Sequence, residues 1–319
     1  MILSPEVLTL FILNAIFSLF AIIAFILSVK IFLKWDLNST SQAQYRLEKQ
    51  SFLTATIIKY IFIIKVPLFL FFIFTLDKIS RLLTGAMCAA GVVNATTYGT
   101  YLVLLKILNL YLFAYWLALH NEDMKHEHQP YTKIKFGIYI ALFFLLISEI
   151  ILEGVMFKAI DVEKVVDCCG AIYSSSANSY ISVIFRLKAS LLLVLFYGNF
   201  LLIMISYFLK NKYIFALSNA FFIIISLVTL ISFFGTYIYQ LPTHHCPFCF
   251  LQKDYYYVGY FIYVFLFIGT FYGLLTGLLR TSENEISKNY KISLLFNFLY
   301  VIFLTSYPVL FYIKNGVWL

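Results

Sequence analysis

Long apolar runs recur along the whole chain, and short polar segments separate them. A run of about 20 apolar residues is long enough to cross a hydrocarbon core of roughly 30 Å as an α-helix. The alternating strands of about 10 residues that mark outer-membrane barrels do not occur in the sequence. The pattern therefore predicts an all-α fold, a polytopic membrane helix bundle that forms one transmembrane domain over residues 1–319. Its eight predicted spans are 8–29, 55–76, 99–119, 136–156, 183–209, 214–238, 256–279 and 292–312.

The composition agrees with a membrane protein. Of the 319 residues, 62% are hydrophobic and 12% are charged, whereas a soluble protein carries about twice that charged fraction. A net charge of +8 could point to nucleic acid. However, the basic residues lie in the short segments between spans, where they act as topology determinants and contact anionic lipid. The lipid bilayer is the expected partner, and nucleic acid is not.

The basic residues are unevenly shared between alternate polar segments. One set holds twelve Lys and Arg residues and comprises 30–54, 120–135, 210–213 and 280–291. The other set holds six and comprises the N-terminus, 77–98, 157–182, 239–255 and the C-terminal tail. The positive-inside rule places the first set in the cytoplasm, so that both termini face outward. In a bacterial inner membrane, the outer side is the periplasm, where disulfides persist.

All five cysteines fall in the second set of segments. They are Cys88, Cys168, Cys169, Cys246 and Cys249. Chance would scatter so few thiols among the spans and both sets of loops. Their collection on one side indicates a single thiol-rich site that is either redox-active or metal-binding.

The strongest motif is Cys246-Pro247-Phe248-Cys249, which follows His244-His245 just before span seven. Proline fits the first turn of a helix, which predicts that Cys246 lies at a helix N-terminus where the dipole favours its thiolate. Cysteines three apart on a helix share one face and can close a disulfide. The same thiols, with His244 and His245, could bind Cu(I), Zn(II) or iron. Buried thiols or a structural disulfide are the remaining interpretation.

The other cysteines extend this hypothesis. A disulfide between the neighbours Cys168 and Cys169 would be strained, so the pair is expected to bond to other thiols or to present two thiolates to a metal. Cys88 lies in a segment rich in small residues. It is interpreted as a packed buried thiol, a resolving thiol or a soft metal ligand.

Charged residues inside the spans form a second candidate constellation. They are Lys106, Glu149, Glu153, Arg186 and Lys188. Their positions along the spans predict similar depths below the outer surface, and ionisable groups at such depths tend to face the bundle and pair. They would neutralise one another, or shuttle protons to a quinone or a metal. Lys65, in the middle of span two, has no evident partner and is expected to turn inward.

The C-P-F-C motif at the outer end of a span, with outward cysteines in another loop, resembles two membrane oxidoreductase groups. These are the vitamin K epoxide reductase family and the bacterial quinone-linked disulfide-generating enzymes. The resemblance implies that Cys246 and Cys249 are the quinone-proximal pair and that Cys168 or Cys169 is the shuttle. The trio G-A-M-C, C-C-G and H-C-P-F-C is also similar to a pattern in bacterial membrane proteins of unknown function.

These observations lead to three functional hypotheses. The first is outward-facing thiol–disulfide electron transfer linked to a quinone, with Cys246 as nucleophile, Cys249 as resolving thiol and a periplasmic thiol protein as partner. The second is binding or handling of Cu, Zn or Fe through the Cys and His ligands, with a metal-carrier protein as partner. The third is a non-catalytic membrane subunit whose cysteines are structural.

Overall fold

The computed structural model describes residues 4–36, 41–166 and 187–319, and within these ranges all regular structure is helical. Eight helices in the described ranges are long and apolar enough to cross a membrane. Each of the eight predicted spans overlaps one of them. The prediction of an all-α, multi-pass membrane protein is confirmed.

The chain divides into two compact units. Unit 1 comprises Met1–Thr84 and Val92–Val165, and unit 2 comprises Gly85–Gly91 and Val166–Leu319. The short segment Gly85–Gly91 therefore belongs to unit 2, although the chain on both sides of it belongs to unit 1. This segment contains Cys88, so the fold places that thiol in the same unit as Cys246 and Cys249.

Unit 1 is built on four long helices. The four long helices are α1 (Pro5–Lys34), α2 (Gln42–Ser80), α4 (Gly99–Asp123) and α5 (Thr132–Ala159). The short α3 (Ala89–Asn94) lies between α2 and α4 in the chain and crosses the boundary between the two units. Helices α1 and α4 each pack against both α2 and α5, which closes a four-helix ring. Proline at the first position starts α1, and the side chain of Ser41 caps α2 by accepting from the Gln44 N–H at 3.3 Å.

Aromatic side chains fill the core of unit 1. Phe62 stacks on Phe113 with their ring centroids 4.2 Å apart, and the edge of Trp116 packs against Phe62 at 5.4 Å. The buried Tyr139 hydroxyl donates to the carbonyl of Ala21 at 3.0 Å. Its polar atom is thus satisfied inside an apolar core, as buried tyrosines require.

A buried ion pair joins α4 to α5 at one end of unit 1. The Asp123 carboxylate accepts from the Tyr131 N–H at 2.7 Å, the Thr132 hydroxyl at 2.9 Å and the Lys135 ammonium at 2.5 Å. Asp123 and Thr132 are fully buried, and Lys135 is 2% exposed. Three hydrogen bonds to one carboxylate fix the turn between these helices, so this pair has a structural role.

Unit 2 also contains four long helical segments. Its helices are α6 (Ala189–Phe208), α7 (Lys212–Thr229), α8 (Gly235–Tyr239), α9 (Val258–Leu278) and α10 (Glu283–Asn315). One π turn, Leu230–Phe234, joins α7 to α8, so that Lys212–Tyr239 crosses as a single segment. Packing runs from α6 to α7, from α7 to α9, from α9 to α10 and back to α6.

Glycines spaced four apart let α9 approach its neighbours closely. They are Gly269, Gly273 and Gly277. A Cβ atom at Gly269 would lie 2.3 Å from Asn297 Oδ1, and one at Gly273 would lie 2.2 Å from Asn219 Cγ. The two amides bond to each other, with Asn297 Nδ2 donating to Asn219 Oδ1 at 2.8 Å. Small residues that admit a polar contact are a common basis of helix packing in membranes.

The outer faces of both units carry large exposed apolar side chains. Examples are Leu19, Ile26, Leu104, Phe144, Leu217 and Phe221. On a soluble protein, so many exposed apolar groups would promote association, whereas on membrane helices they contact lipid. The bilayer is therefore the natural surrounding of these helices.

Replacing Gly273 with alanine tests the close packing of α9. The added methyl group must displace the buried Asn219, so the free energy of unfolding should fall by about 1–3 kcal/mol despite alanine's better helix propensity. The matched control is Gly198→Ala in α6, where a Cβ meets nothing within 4 Å. That variant should be neutral or more stable. Unfolding in detergent micelles, followed by helical circular dichroism, measures both, and equal stability of the two variants would contradict the packing.

Candidate functional sites

Three cysteines of unit 2 form a buried cluster. The sulfur atoms of Cys88, Cys246 and Cys249 all lie within 4.8 Å of one another. The Sγ atoms of Cys88 and Cys246 are 3.4 Å apart. Cys88 and Cys246 are 0% exposed and Cys249 is 5% exposed, and the described structure has no disulfide between any two of them. Cys88 and Cys246, which are 158 residues apart in the chain, are therefore in direct contact.

The adjacent pair Cys168 and Cys169 lies outside the described residues. Its expected place beside the C-x-x-C motif therefore stays a prediction. The same holds for Arg186, which was expected to join the charged residues of the spans.

The loop that carries the motif is not the start of a helix. Cys249 opens a three-residue 3₁₀ turn, Cys249–Leu251, and α9 begins only at Val258. The prediction that Cys246 lies at a helix N-terminus is wrong. Tyr256 and Tyr257 both have left-handed backbone conformations, at φ 54° and 56°, and these prevent a continuous helix from Pro247 into α9.

Two tyrosine hydroxyls hold the backbone of the motif. Tyr239, the last residue of α8, donates to the carbonyl of Cys246, and Tyr263 of α9 donates to the carbonyl of Pro247 at 2.6 Å. The Tyr239 ring also stacks on Phe250, with the centroids 4.7 Å apart and the planes parallel within 1°. These contacts fold the loop back over the end of α8 and bury Cys246.

Backbone contacts bring Cys88 to the same place. The preceding Gly85 has φ 91°, which is accessible mainly to glycine, and the chain turns there. The carbonyl of Met87 accepts from Gln252 Nε2 at 3.3 Å. One hydrogen bond therefore ties the segment of Cys88 to the loop of Cys249.

One backbone N–H group contacts the sulfur of Cys246. The backbone N–H of Phe248 points at Cys246 Sγ, with 3.4 Å between nitrogen and sulfur. A hydrogen bond from an N–H group stabilises the charged form of a sulfur, and such bonds also support metal-bound thiolates. The C-P-F-C spacing therefore produces a turn that donates to its own first sulfur, instead of the expected helical face.

The two histidines of the motif have different environments. His244 is partly buried, and its Nε2 has no hydrogen-bond partner among the described residues. Burial lowers the pKa of His244 below its usual value, against a smaller opposite effect of the nearby Cys88, so the neutral imidazole is favoured. His245 is engaged, because its Nδ1 lies 3.1 Å from the carbonyl of Ile231 in the π turn.

The spacing of the three sulfurs fits a metal ion. A tetrahedral zinc with Zn–S bonds of about 2.3 Å places its sulfur ligands about 3.8 Å apart. The observed contact of 3.4 Å and the upper limit of 4.8 Å bracket that value. The cluster offers three buried sulfur ligands. His244 precedes the motif and its Nε2 has no hydrogen-bond partner among the described residues, but its ring nitrogens are not part of the group of three sulfurs.

Unit 1 contains a separate buried ring of polar side chains. Lys106 Nζ lies 2.8 Å from Glu149 Oε1 and 2.6 Å from Glu153 Oε2. Lys65 Nζ lies 3.1 Å from Glu149 Oε1 and donates to Asn14 Oδ1 at 2.9 Å. The ring closes where Asn14 Nδ2 donates to Glu153 Oε1 at 2.9 Å. It joins α1, α2, α4 and α5 and carries two positive and two negative charges.

Five charged residues of the spans were expected to meet. Three of them contact one another, and Lys188 does not join them. Lys106, Glu149 and Glu153 form ion pairs, while Lys188 is exposed at the N-cap of α6 in unit 2. Lys65, for which the sequence offered no partner, turns inward and completes the ring.

The sequence analysis did not identify two amide side chains at this site. Asn14 closes the ring, and Asn109 Nδ2 donates to Glu149 Oε2 at 2.6 Å. Both are amides inside otherwise apolar spans, which is the signal that would have identified them.

Comparisons with known proteins identify no relative. No family model, no curated protein and no solved structure matches the chain. The resemblance of the C-P-F-C motif to the vitamin K epoxide reductase family and to quinone-linked disulfide-generating enzymes therefore stays a prediction.

Replacing Tyr239 with phenylalanine tests how the loop is held. The change keeps the ring stack on Phe250 but leaves the buried carbonyl of Cys246 without its donor, which should lower the free energy of unfolding by about 1–3 kcal/mol. Tyr256→Phe is the control, because Tyr256 is 90% exposed, and it should change stability by less than about 0.5 kcal/mol. Denaturant unfolding in detergent compares them. Equal stabilities would show that the hydroxyl does not hold the loop.

Proposed function

We propose that this is a multi-pass membrane protein that binds a thiophilic metal ion through Cys88, Cys246 and Cys249. The observation that carries the proposal is the convergence of three sulfurs within 4.8 Å in a buried pocket. Three thiols brought together from two distant segments exceed what a single disulfide needs. Thiolate ligands select Cu(I), Zn(II) and iron–sulfur centres over hard cations.

Among these ions, Zn(II) suits the pocket best. Three thiolates leave a net charge of −1 around Zn(II) and −2 around Cu(I), and burial of uncompensated charge is costly. Zinc also favours four tetrahedral ligands. His244 Nε2 has no hydrogen-bond partner among the described residues but lies outside the group of three sulfurs, so the imidazole would have to move inward to supply the fourth. Full burial of Cys246 makes the site closed, which favours a retained ion over rapid exchange.

Thiol–disulfide electron transfer is the second candidate function. The 3.4 Å contact between the sulfurs of Cys88 and Cys246 favours it, because these two thiols can form a disulfide and deliver two electrons and two protons to a quinone. Two observations rank it below metal binding. Cys246 is 0% exposed, so a partner thiol cannot reach it in this conformation, and the motif lacks the helix N-terminus that would activate it.

The orientation of the chain completes the proposal. The twelve-to-six distribution of Lys and Arg supports cytoplasmic placement of segments such as 120–135. The cysteine cluster and both termini then lie toward the periplasmic side of a bacterial inner membrane. On that side, Cys168 and Cys169 could exchange a metal ion or electrons with a periplasmic carrier.

Metal analysis of anaerobically purified protein tests the proposed site. The wild-type chain, supplied with Zn(II) and then desalted, should retain one equivalent. Cys88→Ser, Cys246→Ser and Cys249→Ser should each weaken binding about tenfold or more, because each removes a direct ligand. Competition with a chromophoric chelator measures the affinity.

Three further variants sharpen this experiment. Met87→Leu alters an exposed side chain beside Cys88 and should bind like wild type. His244→Ala should weaken binding, whereas His245→Ala should not, because the ring of His245 is engaged with the Ile231 carbonyl. A metal-free wild-type protein with a Cys88–Cys246 disulfide in its peptide map would contradict the metal site and support electron transfer.

Labelling of exposed positions tests the orientation. Met87→Cys introduces a thiol at a side chain that is 74% exposed, and Lys125→Cys introduces one in the segment placed in the cytoplasm. An impermeant maleimide should label the first in intact spheroplasts and the second only after lysis. The native cysteines of the cluster are buried, but Cys168 and Cys169 are also present in the chain, so peptide mass spectrometry must identify the labelled residue. The reverse labelling pattern would show that the orientation is inverted.

A further inference from the structure

A small cleft in unit 1 reaches the polar ring. Its polar end is formed by Lys65, Lys106, Asn109 and Glu149. Its walls are the apolar side chains Leu68, Phe69, Leu110 and Phe113 from α2 and α4. The space holds about one water molecule. A water-sized cleft that ends at an intramembrane carboxylate is unusual, because charged groups in spans are costly unless they are paired or functional.

The polar end of the cleft has unused hydrogen-bonding capacity. Asn109 is 1% exposed, and its Oδ1 accepts no hydrogen bond from the described residues. The ammonium of Lys65 has three N–H groups, of which the structure engages two. Glu149 Oε2 receives one hydrogen bond, from Asn109. One water could accept from Lys65 and donate to Asn109 and Glu149, which gives the three partners typical of buried water.

The groups that face Glu149 balance its charge. Helix α2 contributes Lys65, α4 contributes Lys106, α5 contributes Glu153, and α1 contributes only the neutral Asn14. The four charges sum to zero. Protonation of one carboxylate would therefore leave a net positive charge in an apolar surrounding, and loss of a proton from a neighbouring ammonium would restore neutrality.

We propose that the ring of Asn14, Lys65, Lys106, Glu149 and Glu153 is an intramembrane proton-exchange site, with Glu149 as the acceptor and a water in the cleft as the carrier. The proposal does not depend on the cysteine cluster, which lies in the other unit.

The exchange balances in protons and charge. A hydronium ion in the cleft gives its proton to Glu149 Oε2, so that an O–H bond forms on the carboxyl group and one breaks on hydronium. Lys65 then has a neutral carboxyl partner and releases a proton to the remaining water, which breaks an N–H bond and re-forms hydronium. Transfer of the Glu149 proton to the Lys65 amine restores the starting state. One proton enters, one leaves, and no oxidant or reductant is needed.

Unit 1 supplies a matched structural control. The Asp123–Lys135 pair is equally buried, and its carboxylate, like that of Glu149, accepts three hydrogen bonds, here from the backbone of Tyr131 and the side chains of Thr132 and Lys135. It differs in that it has one ammonium partner and does not line the cleft. It anchors a turn and is expected to keep its charge while the protein remains folded.

Infrared difference spectroscopy of the full chain in lipid vesicles tests the proposal. Acidification within the range where the protein stays folded should produce the C=O band of a buried carboxylic acid, and this band should shift in D₂O. The band should be absent in Glu149→Gln and present in Asp123→Asn. No such band in the wild type, a band that persists in Glu149→Gln, or loss of the band in Asp123→Asn alone would overturn the proposal.

Asn109→Leu provides a second variant that leaves all four charges in place. It removes the donor to Glu149 Oε2 and fills the space for the water, so the C=O band should move to higher frequency and its hydrogen–deuterium exchange should slow. If Glu149→Gln fails to fold, the Asn109→Leu variant alone tests the proposal. A band frequency and an exchange rate equal to those of wild type would show that no water in the cleft carries the proton.

Discussion

Inside a hydrocarbon core, every polar group must find its partner within the protein, and both sites of this molecule follow from that constraint. In unit 1, Lys65 and Lys106 are tolerated because Glu149 and Glu153 neutralise them within hydrogen-bond distance. Removal of either carboxylate alone would leave an uncompensated buried charge, which typically costs about 3–5 kcal/mol. The ring therefore holds four helices together whether or not it also exchanges protons.

The thiol cluster meets the same constraint in a different way. Neutral thiols can be buried at little cost, but three converging sulfurs, an N–H group aimed at Cys246 and an unbonded imidazole nitrogen on His244 are not needed for packing. A bound cation would use the three sulfurs, because it stabilises the thiolates, and His244 could reach it only if the imidazole moved toward them. Tyr239 and Tyr263 prepare the site by fixing the two carbonyls of the turn.

The apolar pattern was enough to predict the eight spans, because helix length and hydropathy are local properties. It also indicated that Glu149 and Glu153 would meet Lys106. It could not show that Cys246 lies in a turn, because that turn depends on the stack of Tyr239 on Phe250 between separate segments. The place of Cys88 was equally inaccessible, since the fold assigns Gly85–Gly91 to a unit other than that of its chain neighbours.

In the proposed site, the three sulfurs are ligands of one metal ion. X-ray absorption at the zinc edge, on protein reconstituted with one equivalent of Zn(II), measures the ligand atoms directly. The proposed site predicts three sulfur neighbours at about 2.3 Å and a fourth, lighter neighbour at about 2.0 Å. A first shell made only of nitrogen and oxygen would contradict the claim, because it would place the ion away from Cys88, Cys246 and Cys249.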